Sequence, residues 1–257
     1  MTLDDLDVAR AAARAAGRVA VRHHGGPLDV EVKSAVPTDV VTVADREAEA
    51  AAVAAIGAAR PADAVFGEEG TDRAGASGRR WVIDAIDGTL NYAHGIPGWC
   101  SAVVLSDGAG PLACAVFDPQ RDELFSAARG RGAFCGDRPL RVREPVALER
   151  MIVAVQWGYG KLALPGVRGV VDRIVDEVGA LRVPGSGTLE LTWVAAGRLH
   201  GWMQPDAADW DWLPGALLVA EAGGEAVTVD DAAPTRWSLG GHAGCVAQLR
   251  TLLAAGR

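Results

Sequence analysis

The amino-acid sequence predicts an α/β (α+β) fold. Three features carry that reading: two alanine-rich stretches with helical spacing near the start, short apolar runs separated by turn residues in the middle, and a strand–helix alternation after about residue 145. Alanines together with Leu3, Leu6 and Val19 mark one helical face over residues 3–22, with a capped start near residues 2–5 and a stop at Gly25-Gly26-Pro27. A second helix is expected over residues 45–59, ahead of Pro61. Residues 64–66 then read as a strand entering the turn Gly67-Glu68-Glu69-Gly70, and Trp81-Val82-Ile83 as a strand running into Asp84-Ala85-Ile86-Asp87-Gly88-Thr89. Residues 100–105, 112–117 and 123–128 form an antiparallel meander, broken by Asp107-Gly108 and Asp118-Pro119. Beyond them, strands at 152–155, 181–183 and 199–203 alternate with helices at 167–178, 186–196 and 211–222.

The chain therefore divides into an N-terminal α+β half, residues 1–145, and a C-terminal α/β half, residues 146–257. A length of 257 residues and a 49% hydrophobic content supply a substantial core. With 25 Lys+Arg against 33 Asp+Glu, a net charge of −8 and no basic tract, the composition argues against a nucleic-acid partner. No apolar run approaches the roughly 18 residues of a membrane span, and the start lacks the apolar segment and cleavage site of a secretory signal. A soluble protein without a membrane partner, cytoplasmic in location, is the expectation. Cys100, Cys114, Cys135 and Cys245 lack metal-site spacing and read as reduced thiols.

The chemistry concentrates in acids placed next to apolar strands: Glu68 and Glu69, Asp84 and Asp87, and Asp211 ahead of the last long helix. Any one such acid is ordinarily a solvated loop residue. An apolar strand that delivers two acids, a glycine and a threonine into one turn is harder to assign to the surface. Carboxylate oxygens suit Mg²⁺, which takes one or two carboxylates per ion beside water and substrate phosphate. A carboxylate bridging two ions could come from Asp84 or Asp87. Gly88 and Thr89 open a short helix whose N–H groups suit a phosphate oxygen. The three-residue spacing of the acids excludes the Asp-x-Asp-x-Thr pattern of haloacid-dehalogenase-type phosphatases. Gly-x-Ser-x-Gly, His-Glu-x-x-His and P-loop patterns are absent from the sequence. Hydrolysis of a phosphate ester by a metal-activated water is the chemistry left.

Gly67-Glu68-Glu69, Trp81 through Tyr92, Trp210-Asp211-Trp212-Leu213-Pro214-Gly215 and Glu221-Ala222-Gly223-Gly224 occur in an order that resembles the inositol monophosphatase family. The likeness extends from Asp39 through Gly185-Ser186 to the final Gly-Gly segment. It implies a layered αβαβα sandwich of the inositol monophosphatase / fructose-1,6-bisphosphatase type, usually a homodimer, with two to three Mg²⁺ per subunit and sensitivity to lithium. By the resemblance, Glu68, Asp84 and the Ile86 carbonyl hold a first ion, and Asp84, Asp87 and Asp211 a second. Glu68 reaches a third, Asp45 and Thr89 orient and deprotonate the attacking water, and Glu69 supports them.

Ala85 stands where the family commonly has proline, Tyr92 where it has phenylalanine, and Gln204 where inositol-specific members carry a glutamate. Lys33, Gly185, Ser186, Gln204 and Asp206 are the candidates for the leaving-group pocket. The expected substrate is a small phosphorylated metabolite, inositol monophosphate or a similar polyol phosphate. The alternatives are histidinol phosphate, a sugar bisphosphate, a nucleotide 3′-phosphate, or a non-catalytic metal-binding regulatory role. Pro214 is expected in the first turn after Asp211, where its missing N–H costs no hydrogen bond.

Overall fold

The computed structural model describes residues 4–26, 29–158, 160–230 and 234–254. Thr2, Leu3 and Pro27, which the sequence reading placed at the ends of the first helix, lie outside them. Helix α1 (Asp5–His23) is capped by Asp4, whose carboxylate accepts from the Asp7 N–H at 2.9 Å. Strands β1 (Val30–Val32) and β2 (Val40–Thr42) pair antiparallel and lead into α2 (Val43–Ala59). That helix starts two residues earlier than expected, because Thr42 is its N-cap and Asp45 closes a capping box.

The larger sheet comes next: β3 (Ala64–Gly67), β4 (Asp72–Arg73), β5 (Arg80–Asp87), then helix α3 (Thr89–Ala93), β6 (Cys100–Asp107), β7 (Gly110–Asp118), β8 (Glu123–Ala128), β9 (Ala133–Cys135) and β10 (Arg138–Pro139). Their spatial order is β10-β9-β8-β7-β6-β5-β3-β4. The expected meander is its centre, β6 to β8, antiparallel throughout. Strand β5 is longer than the three residues read from sequence and includes both Asp84 and Asp87. Its register against β6 slips between them, from Asp84↔Ala102 to Asp87↔Cys100. Such an irregularity re-aims side chains at one end of a strand.

The second sheet draws on β11 (Ile152–Val155), β12 (Ala180–Arg182), β13 (Gly201–Pro205), β14 (Glu225–Val229) and β15 (Trp237–Gly241), in the order β12-β11-β13-β15-β14. Strand β11 runs parallel to β12 and β13, whereas β15 is antiparallel to both its neighbours. Helices α4 (Val167–Glu177), α5 (Gly187–Ala195), α6 (Asp209–Glu221) and α7 (Ala243–Ala254) complete the chain.

Three apolar clusters show how the layers stack. The first joins α1 and α2 to one face of the larger sheet through Ile83, Val103, Leu105 and Ala115. The second joins its opposite face, through Val82, Val104 and Val116, to Leu189 and Val194 of α5 and Leu217 and Leu218 of α6. The third packs Val153, Met203 and Leu239 of the second sheet against Val170 and Ile174 of α4 and Leu249 of α7. The architecture is the expected αβαβα sandwich, and sheet strands buried on both faces account for the near-continuous apolar runs. No helix among the described residues is long and apolar enough to cross a membrane.

Two local expectations need correction. Helix α6 begins at Asp209, so Asp211 lies in its first turn and Pro214 a turn deeper than expected. The carbonyl of Trp210 therefore loses its intrahelical donor after all. By contrast, the tyrosine at 92 is well accommodated, since its hydroxyl donates to the Ala20 carbonyl of α1 at 2.7 Å. All four cysteines are free thiols, as the sequence reading held.

The small residues of α1 let it lie close on the sheet. A Cβ on Gly17 would stand 2.5 Å from Phe117 Cδ1 and 3.2 Å from Pro119 Cγ. Gly17→Leu is expected to destabilise the protein by about 1–3 kcal/mol through overpacking, read as a lower urea midpoint at unchanged slope.

Candidate metal centre

Carboxylate oxygens of Asp84, Asp87 and Asp211 lie within 4.8 Å of one another at the junction of the two sheets. The irregular end of β5 brings the first two side by side, and the first turn of α6 supplies the third. Asp84 Oδ1 accepts the Ile86 N–H at 3.1 Å. Asp87 Oδ2 accepts the Ser186 hydroxyl at 2.6 Å and the Thr188 N–H at 2.7 Å. Asp211 Oδ2 accepts the Gln204 amide at 3.1 Å.

Burial, then the charges of Glu68, Asp87 and Asp211, pushes Asp84 well above the usual carboxylate range. Asp87 is also raised by burial, against the pull of Ser186 and Thr188, and Asp211 is pushed up to about 7 by burial, Asp87 and Glu68. Three carboxylates held this way repel one another unless a cation or protons intervene. The all-oxygen donor set fits a hard divalent cation such as Mg²⁺. Cys100 Sγ is 4.0 Å from Asp87 Oδ2, but burial and the neighbouring Asp87 and Asp84 push its thiol well up, so it adds no soft thiolate ligand.

A cavity of about 230 Å³ opens on this cluster and is lined also by Glu68, Ile86, Gly88, Thr89, Gln204, Asp206 and Trp210. Glu68 lies outside the three-acid cluster, and its Oε1 accepts from Lys33 Nζ at 2.8 Å. Thr89 Oγ1 stands 3.1 Å from Asp45 Oδ1 and 3.0 Å from the Ile86 carbonyl. Asp45 Oδ2 is held by the Thr42 N–H at 2.8 Å and the Thr42 hydroxyl at 2.6 Å. Asp45 thus caps α2 with one oxygen and faces Thr89 with the other. Burial raises its pKa against those hydrogen bonds. Gly88, at φ 94°, starts α3 in the left-handed region, and a Cβ there would stand 3.0 Å from the Gly98 carbonyl.

Several predicted pocket residues sit elsewhere. Lys33 does not line the cavity; besides Glu68, its ammonium donates to Glu69 Oε1 at 2.6 Å. Burial would lower the pKa of that ammonium, but the two carboxylates outweigh it and raise it. Glu69 is turned to Lys33 and away from the cavity, pushed up to about 7 by burial and the charges of Glu68 and Asp45, with Lys33 opposing. Gly185 and Ser186 do not line the cavity either. The Gly185 N–H donates to Glu190 Oε1 at 2.8 Å, and Ser186 is fully buried on Asp87 as the N-cap of α5. Gly187, next in sequence, lines the cavity instead.

Sequence reasoning missed Gln156 and Lys161 in the cavity wall, and Glu49 and Glu190 behind it. Gln156 comes directly after β11, and the general placement of ligands at the carboxyl ends of parallel strands was the available signal. Glu49 accepts the N–H groups of Glu69 at 2.7 Å and Thr71 at 3.0 Å, which holds the Glu68 turn. No sequence pattern marks it apart from other acids on a helix. Lys161 Nζ donates to the Asp206 carbonyl at 3.1 Å. Burial lowers its pKa, and the charges of Asp211 and Asp206 partly restore it.

Burial pushes the Glu190 carboxyl up from an ordinary 4.5 to about 8, against the Gly185 N–H. In the unfolded chain it ionises near its ordinary value, so native stability falls as pH rises from about 4.5 to about 8 and then levels off. Glu190→Gln keeps an acceptor for Gly185 and is expected to flatten that part of the pH profile. The difference in urea midpoint between wild type and variant should widen from pH 5 to pH 8; a constant difference would refute it.

A family model described as the inositol monophosphatase family matches residues 3–255. An inositol-1-monophosphatase of Rhizobium meliloti is 37% identical over 216 residues, 81% of this chain and 79% of that protein. A protein of Pseudomonas aeruginosa named Nus factor SuhB is 34% identical, covering 85% and 83%. Among solved structures, the extragenic suppressor protein suhB of Bartonella henselae superposes with a TM-score of 0.89 at 33% identity, over 98% of both chains.

Proposed function

The chain belongs to the inositol monophosphatase family, and on that premise we propose that it hydrolyses a small phosphate monoester with Mg²⁺ bound by Asp84, Asp87 and Asp211, and by Glu68 and the Ile86 carbonyl. The observation that carries this reading is the three-carboxylate cluster opening on the same cavity as the Thr89–Asp45 pair. Bound there, Mg²⁺ would neutralise phosphoryl oxygens and the leaving alkoxide and acidify water.

The protein's own groups supply the rest. Asp45 is fixed through one oxygen, so the other is free to take the Thr89 proton as Thr89 takes one from the attacking water. Gly88 and Thr89 would offer backbone N–H groups to the phosphoryl oxygens at the cavity wall. Gln204 donates to Asp211, which a glutamate at that position could do only when protonated. The leaving group is proposed to be a polyol or sugar alcohol, with inositol monophosphate the first compound to try. Lithium sensitivity, pairing of two copies and a cytoplasmic location belong to the same reading.

Relatives named Nus factor SuhB bear on a second reading, the non-catalytic metal-binding regulatory role that the sequence leaves open. Asp45, Thr89 and the three clustered acids are all present and in contact range here, which favours hydrolysis.

The test is phosphate release from inositol 1-phosphate, histidinol phosphate, fructose 1,6-bisphosphate, adenosine 3′,5′-bisphosphate and glycerol 2-phosphate, with Mg²⁺, with EDTA and with Li⁺ added. Release from at least one compound, abolished by EDTA, is expected. Asp87→Asn should lower kcat/KM by roughly 10²-fold or more. Its remaining oxygen can still accept from Ser186 and Thr188, so an unchanged circular dichroism spectrum should accompany the loss. Full activity in that variant would sink the assignment.

A further inference from the structure

The cavity has two walls of different chemistry. One comes from β5 and α3 and carries Asp84, Asp87 and Thr89. The other comes from the ends of β11 and β13 and the segments directly after those strands, and carries Gln156, Lys161, Gln204 and Asp206. A phosphate held at the first wall places its leaving group against the second.

Acids dominate the lining, and among the described residues that line it Lys161 is the only basic side chain. It lies in a single 3₁₀ turn after β11, residues Lys161–Ala163. An ammonium has three donors. Among the described residues it has one hydrogen-bond acceptor, the carbonyl of Asp206, at 3.1 Å. Asp206 itself takes φ 47°, a left-handed conformation uncommon outside glycine, and its carboxylate lies 3.6 Å from the Arg236 guanidinium. The Asp206 side chain therefore has its own cation, and the hydrogen bond that Lys161 makes is to backbone rather than to a carboxylate.

A second unmet group lies on the same wall. Gln204 is 1% exposed; its amide N–H donates to Asp211, while its Oε1 is buried without a partner among the described residues. Gly187 leaves room for that oxygen, since a Cβ there would stand 2.5 Å from it. The leaving-group wall thus offers a cation with spare donors, set beside a neutral amide whose oxygen is packed against Gly187.

We propose that Lys161 binds an anionic substituent on the leaving group, a second phosphate or a carboxylate. The preferred substrate is then a polyol or sugar phosphate carrying a second negative group. This rests on the phosphatase reading above and narrows its substrate class.

The experiment uses matched pairs that differ in the second anion: glycerol 2-phosphate against 2-phosphoglycerate for the carboxylate, and inositol 1-phosphate against inositol 1,4-bisphosphate for the phosphate. Hydrolysis with Mg²⁺ is compared in wild type, Lys161→Met and Lys161→Arg, and binding of the same compounds is read from the shift in thermal unfolding midpoint. Wild type should favour the charged member of at least one pair by about tenfold in kcat/KM, mainly through KM. Lys161→Met should collapse that ratio toward one, and Lys161→Arg should restore most of it. Which pair responds identifies the anion. Equal losses for both members of each pair in Lys161→Met, or no charge preference in wild type by either readout, would overturn the assignment. Absence of hydrolysis with any compound defeats the phosphatase reading instead. A charge preference in binding that vanishes in Lys161→Met would still support the role of Lys161.

Discussion

Mutual repulsion among Asp84, Asp87 and Asp211 is the constraint around which the molecule is arranged. Three buried carboxylates within 4.8 Å are unfavourable in the absence of a cation: burial raises the pKa of each, and the charges of neighbouring acids add to the rise. A flexible loop would relieve the strain by letting them part. Here each acid is on regular structure, with Asp84 and Asp87 inside β5 and Asp211 inside α6. The larger sheet and the middle helical layer would have to move apart to separate Asp211 from the other two. Rigidity of this kind is what a pre-formed cation site requires.

The middle layer also joins the two sheets. The N-terminus of α5 meets the end of β5 where Ser186 and Thr188 donate to Asp87, and the Thr188 hydroxyl donates to the Asp211 carbonyl at 3.0 Å. Asn91 adds a tie by donating to the carbonyls of Gly98 at 2.8 Å and Pro184 at 2.7 Å. These polar contacts between the end of β5, α3 and the segment that opens α5 lie at or beside the site itself. Tyr92, His24 and Trp99 gather around the same region, with the Tyr92 and Trp99 rings 5.0 Å apart and nearly perpendicular.

The fold was legible where the amino-acid pattern is local. Alanine spacing showed α1 and α2, and the Gly/Asp/Pro breaks showed β6 to β8. Strand β5 was read too short, because an acid inside a strand looks like its end; only the pairing of Asp87 with Cys100 across an irregular register shows otherwise. Within the site, Asp84, Asp87, Asp211, Thr89 and Asp45 were legible because their motifs are compact. Lys33, Gly185 and Ser186 do not line the cavity; their partners are Glu68 and Glu69, Glu190 and Asp87, and contacts as distant in sequence as Ser186 and Asp87 leave no local pattern. Lys161 left no local mark at all: its meaning comes from the Asp206 carbonyl, a partner from a different strand end.

That asymmetry has a physical source. The acid wall is built by residues close in sequence that must meet a fixed ionic chemistry, so its pattern is compressed into a few short motifs. The opposite wall is built from the ends of β11 and β13, where side chains answer to whatever the phosphate is attached to. Because the two walls come from different sheets, substitutions at Gln156 or Lys161 alter the second wall without changing any of the clustered carboxylates. Gln204 is the point where the walls touch: it lines the cavity and donates to Asp211, while its own oxygen is buried against Gly187. An ionised glutamate there would add a fourth charge beside the clustered acids and compete for Lys161. A neutral amide leaves that cation available, which is why the identity of residue 204 and the presence of Lys161 are best understood as one specificity feature.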